Sequence, residues 1–129
     1  MRYLGVDYGL RRIGLATADE ETKIAVPLRT LVRDSDAGAL VELRALVQNE
    51  KIGQVVIGMP LGMDGNSTEM SGVVRAFVVK LQAATEVPVE YENEILTTRM
   101  VTHEGVRAQD VDAASAAIIL QSYLDKRRP

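Results

Sequence analysis

Asp7, Glu94 and Asp112 are the residues of this chain whose types and places suit hydrolytic chemistry at a metal ion. Asp7 ends a short apolar run, Glu94 follows an alternating apolar and acidic stretch, and Asp112 stands where the last helical pattern begins. The loops of open α/β sheets converge beyond the carboxyl ends of parallel strands, so Asp7 and Glu94 meet at one sheet edge if their strands are parallel neighbours. Asp112 lies on the helix face that must pack on that sheet, and an inward carboxylate needs a partner to offset its lost hydration. Carboxylates without cysteine point to a hard divalent cation such as Mg2+ or Mn2+, which also binds phosphate oxygens. Two such ions about 4 Å apart activate a water and stabilise a leaving oxygen in phosphodiester hydrolysis, with no side-chain nucleophile. Plain structural roles stay open to the same acids: Asp7 can cap a turn, Asp112 a helix, and Glu94 can be a solvated loop residue.

The elements that must position these acids are legible from periodicity. Residues 2–7 and 12–18 read as a hairpin around the turn Asp7-Tyr8-Gly9, with Gly9 and Gly14 serving tight backbone geometry. Residues 26–33 supply a third strand, with Leu28, Thr30 and Val32 on one face. Asp34, Ser35 and Asp36 offer caps to an amphipathic helix through Leu40, Leu43, Leu46 and Val47. The apolar run 54–58 is a strand covered on both faces. A loop follows, then a helix that the Asn66 and Glu69 spacing predicts to open with a capping box, carrying Met70, Val73, Val74, Phe77, Val78 and Leu81. Val87, Val89 and Tyr91 give a half-exposed strand, a short helix is expected from Thr97 or Thr98, and a last helix runs over 110–126. The order β-β-β-α-β-α-β-α defines one mixed α/β domain over residues 1–129.

Composition bounds the function. Fifteen Lys and Arg against eighteen Asp and Glu give a net charge of -3, which argues against binding nucleic acid by bulk charge. One Phe, four Tyr and no Trp make a stacking platform for bases poorly supported. Zero Cys exclude a disulfide scaffold and a thiolate zinc site. With no signal peptide or membrane span in the pattern, a cytoplasmic protein without membrane partners is expected. His103, the single histidine, reads as a surface residue, and Lys126-Arg127-Arg128 as a solvated tail.

Four segments together resemble the YqgF/RuvX family, an RNase H-like family of pre-16S rRNA nucleases and Holliday-junction resolvase homologues. They are Asp7-Tyr8-Gly9-Leu10-Arg11-Arg12-Ile13-Gly14, Val56-Ile57-Gly58-Met59-Pro60-Leu61, Glu94 with Thr97-Thr98, and the helix opening Asp112-Ala113-Ala114-Ser115-Ala116. The resemblance implies an RNase H-like fold, with a five-stranded mixed sheet in the order 3-2-1-4-5 flanked by helices. It implies catalytic metal ligands at Asp7, Glu94 and Asp112, substrate phosphate contacts at Arg11 and Arg12, and hydrogen-bonding support from Thr97 and Thr98. The function it implies is metal-dependent nuclease action at the 5′ end of precursor 16S rRNA. The alternatives are a resolvase of branched DNA working as a homodimer, and a catalytically silent nucleic-acid-binding module; a monomer or a homodimer is expected. Two departures bear on activity: Asn93 and Ile95 stand where the family has Asp and Arg, and the segment between the threonine pair and the last helix is short and poor in cations.

Overall fold

The computed structural model describes residues 1–94 and 108–127. The chain runs through β1 (Arg2–Tyr8), β2 (Arg12–Asp19), β3 (Val26–Val32), α1 (Asp36–Asn49), β4 (Ile52–Pro60), α2 (Glu69–Thr85), β5 (Val89–Glu94) and α3 (Ala108–Asp125). The five strands form one sheet in the order β3-β2-β1-β4-β5, as the resemblance implied. β1, β2 and β3 form an antiparallel meander, whereas β4 and β5 add to β1 in parallel. The carboxyl ends of β1, β4 and β5 therefore share an edge.

Strand alternation sends side chains to two different cores. Leu4, Val6, Tyr8, Ile13, Leu15, Val55 and Ile57 meet α1 and α2 on one face. Ala16, Ala18 and Val56 meet Ala116, Ile119, Leu120, Tyr123 and Leu124 of α3 on the other. Small strand residues let α3 approach closely: a Cβ on Gly5 would stand 2.8 Å from the Leu120 Cβ and 2.9 Å from the Ala116 carbonyl. The run 54–58 is covered on both sides as expected, and pairing extends it to Ile52–Pro60.

Several local expectations are corrected. Thr68, not Asn66, caps α2: its hydroxyl accepts from the Ser71 N–H while the Ser71 hydroxyl accepts from the Thr68 N–H. Asn66 is held in the preceding turn, where its N–H and its amide donate to Asp64 at 3.0 and 3.1 Å and its carbonyl accepts from Gly62. β5 begins at Val89 and continues to Glu94, because parallel pairing with β4 runs on through Pro60 opposite Glu94. The tail is not merely solvated. Lys126 pairs with the buried Glu92 at 2.6 Å, and the Arg127 guanidinium lies 3.5 Å from the centroid of the Tyr123 ring. The short helix expected from Thr97 or Thr98, His103 and Arg128 lie outside the described residues. Among the described residues no helix is long and apolar enough to cross a membrane.

Candidate active site at the carboxyl edge of the sheet

A glycine seam sets the start of α3, which carries Asp112, against the β1–β2 pair that carries Asp7. Asp7 pairs directly with Gly14 across the β1–β2 ladder. Gly14 in turn lies against the start of α3, so closely that a Cβ there would stand 1.9 Å from the Asp112 carbonyl oxygen. Only a residue without a side chain permits that contact. Alternation places Asp7 on the same sheet face as Gly5, the face covered by α3, and leaves it half-buried.

Asp112 already carries a cation. Arg12 Nε donates to Asp112 Oδ2 at 2.6 Å, with the two side chains 39% and 21% exposed. Asp112 is the fifth residue of α3, beyond the first turn where a helix N-terminus best stabilises negative charge, so the guanidinium supplies what the helix end does not. The resemblance implied separate roles for these two residues, one on substrate and one on metal; the fold joins them in an ion pair. Arg11, next to Arg12, is exposed.

The backbone of Glu94 closes β5 level with Pro60 of β4, at the same edge as Asp7. Earlier on the same strand the carboxylates of Glu90 and Glu92 bond to Tyr123, Ser122 and Lys126 of the last helix and the turn after it. The Glu94 side chain, Thr97 and Thr98 lie outside the described residues. Ser115, one turn beyond Asp112, was not singled out from the sequence. Its hydroxyl is fully buried and has no hydrogen-bond partner among the described residues, a situation that costs about 1–3 kcal/mol when nothing relieves it. A serine inside an alanine-rich helix face was its only signal.

The turn between β1 and β2 is tied down from the opposite face. Arg33 donates through Nη1 to the Leu10 carbonyl at 2.9 Å and through its backbone N–H to the Arg11 carbonyl at 2.8 Å. Asp36, expected only as a helix cap, instead accepts from Tyr8, Arg33 and Lys80, while Ser35 caps α1.

These features can be set beside known proteins. The sequence profile of the RuvX family, described as Holliday junction resolvase, matches residues 1–126. The chain belongs to the RuvX family. A relative from Anaeromyxobacter dehalogenans, strain 2CP-C, carries the name "Putative pre-16S rRNA nuclease" and is 40% identical over the whole of both chains. A relative of the same name from Chloroflexus aggregans is 38% identical over 97% of this chain and 94% of its own. Among solved structures, RuvC of Thermus thermophilus, determined with a Holliday junction substrate, aligns over 98% of this chain and 95% of its own with a TM-score of 0.64. At 13% identity that likeness establishes a shared RuvC-type fold for this RuvX chain. Fowlpox virus resolvase aligns with a TM-score of 0.55 and 12% identity, over 98% of both chains.

Proposed function

We propose that this RuvX-family chain is a divalent-metal-dependent nuclease and that its substrate is precursor 16S rRNA, processed at the 5′ end in the cytoplasm. The observation that carries the site assignment is the Gly14 seam, which sets Asp112 against the strand pair holding Asp7 at the edge where β5 delivers Glu94. The choice of precursor rRNA follows the names of the full-length relatives.

The donor chemistry fits Mg2+ or Mn2+. Asp7, Glu94 and Asp112 would hold the ion through carboxylate oxygens, and Asp112 is already occupied by one cationic group, Arg12. A bound divalent ion supplies a lowered pKa for the attacking water and charge stabilisation at the leaving oxygen. The protein's own residues do the positioning. Arg11 and Arg12 stand on the turn and strand beside Asp7, where guanidinium groups orient a phosphodiester without reading its bases. The half-buried setting of Asp7 and Asp112 limits water around the scissile group and strengthens each charge interaction there.

The test pairs the purified chain with Asp7→Asn, using labelled RNA spanning the 16S 5′ end and a four-way DNA junction, each with Mg2+, Mn2+ or chelator. Cleavage of RNA that needs metal and disappears in the variant is expected. Cleavage that survives Asp7→Asn refutes the site. The family's description favours a second reading, junction resolution, which requires two active sites in a symmetric dimer. Preferred cutting of the junction by a dimer selects it, and binding without cleavage selects a silent module.

A further inference from the structure

We infer that Arg33 is a positioning residue, held by Asp36 and Tyr8, that fixes the turn 9–11 so that Arg11 faces the substrate; the substrate half of this inference rests on the nuclease reading above. The turn has little packing of its own. Leu10 is 56% exposed and Arg11 is exposed, so their side chains do not define its path. Its backbone is nevertheless constrained at consecutive carbonyls by one residue: Leu10 accepts from the Arg33 side chain and Arg11 from the Arg33 N–H. Gly9 completes the constraint, since a Cβ there would stand 2.6 Å from the Arg12 carbonyl.

Arg33 is itself fixed from the core outward. Its Nε donates to Asp36 Oδ1 at 2.8 Å, and its guanidinium carbon lies 5.8 Å from the centroid of the Tyr8 ring. Asp36 Oδ1 also accepts from the Tyr8 hydroxyl at 2.7 Å, and Oδ2 accepts from Lys80 at 3.2 Å. The Tyr8 ring packs on Phe77 with centroids 4.3 Å apart, and both residues are buried. A continuous path therefore runs from the α2 core through Tyr8, Asp36 and Arg33 to the exposed turn. A planar guanidinium suits this task because its fork holds a carboxylate and a carbonyl in fixed relative positions. Tyr8 adjoins Asp7 but points to the opposite sheet face, so the path braces the turn from the face that α1 and α2 cover, not from the α3 face.

The experiment combines Arg33→Gln, Tyr8→Phe, Arg11→Ala and the double variant Arg33→Gln/Arg11→Ala in the full chain. Hydrogen exchange of the peptide spanning residues 9–12 should quicken several-fold in Arg33→Gln, and less in Tyr8→Phe, which keeps the ring on Phe77. Exchange in β4 and α3 should stay as in the wild type. Affinity for labelled RNA in chelator should fall several-fold in Arg33→Gln and in Arg11→Ala, and the double variant should be no worse than the weaker single, because both losses act through one contact. In turnover KM should rise with kcat retained. A lowered melting temperature with unchanged turn exchange and KM marks Arg33 as a structural brace only and overturns the inference. Additive losses in the double variant overturn it too, since Arg33 then acts independently of Arg11. A wild-type chain that neither binds nor cuts RNA or junction DNA overturns the nuclease reading and the substrate role with it, an outcome separable from unchanged exchange.

Discussion

At the residue scale the pairing of Arg12 with Asp112 sets a competition. A carboxylate that is 21% exposed and bonded to a guanidinium through one oxygen offers a metal ion an oxygen already engaged by a cation, so the two cations compete for its charge. The pair is partly solvated, so it is worth about 0.2–1 kcal/mol, and its removal should raise metal affinity roughly one and a half- to fivefold. Arg12→Gln is therefore expected to bind Mn2+ more tightly in calorimetry, while the salt slope of its RNA binding falls by about one phosphate contact. Weaker Mn2+ binding in the variant would show that Arg12 assists the site instead of competing for it. The residue types of Asp7, Arg12 and Asp112 announced an acidic site with cations beside it. That Arg12 and Asp112 hold each other is not legible in sequence, because 100 residues separate them and only the folded seam brings them into contact.

At the element scale α3 is placed by what the strands lack. Gly5 and Gly14 lie on its face, and at Gly14 the helix backbone occupies the space that any Cβ would need. Gly14→Ala must push the start of α3 away, so it should destabilise the fold by about 1–3 kcal/mol and displace Asp112 from Asp7. Gly72 is the matched control. It lies within α2 with open space where a Cβ would stand, and Gly72→Ala should stabilise by about 0.5–1 kcal/mol. Denaturant midpoints measure both, and equal effects from the two substitutions would refute the seam. Periodicity foretold all eight described elements, because apolar spacing reports which face is buried. It misplaced the start of α2 and the extent of β5 for identifiable reasons. Asn66 offers the same capping chemistry as Thr68 but is drawn into a turn by Asp64, and β5 keeps pairing through polar residues 92–94 that alternation alone does not mark as strand.

At the scale of the whole molecule the strand order was legible only through resemblance, since alternation says which face is buried but not which strands are neighbours. The register then determines which distant charges meet, and Asp36 is where several elements converge: β1 through Tyr8, α2 through Lys80, and the β3–α1 junction through Arg33. Burial by itself would raise the Asp36 pKa, but the bonds from Tyr8, Arg33 and Lys80 outweigh it and hold the carboxyl below its ordinary range. Burial, joined by the bond to Asp36, pushes the Tyr8 phenol above its ordinary value. The two shifts make global stability depend on pH in opposite senses. A depressed carboxyl contributes stability that is present above its unfolded pKa and lost as pH falls through the folded one. A raised phenol contributes stability that is present below its unfolded pKa and lost as pH rises through the folded one. Unfolding free energy measured by urea titration should therefore fall on the acid side of the carboxylate range and again on the alkaline side of the tyrosine range. Asp36→Asn should flatten the acid limb, and Tyr8→Phe the alkaline limb, each with a loss at neutral pH of about 1 kcal/mol for the altered hydrogen bonds. If both variants keep the wild-type slopes, the convergence at Asp36 does not couple these elements, and the turn beside the candidate site draws its order from the strand ladders alone.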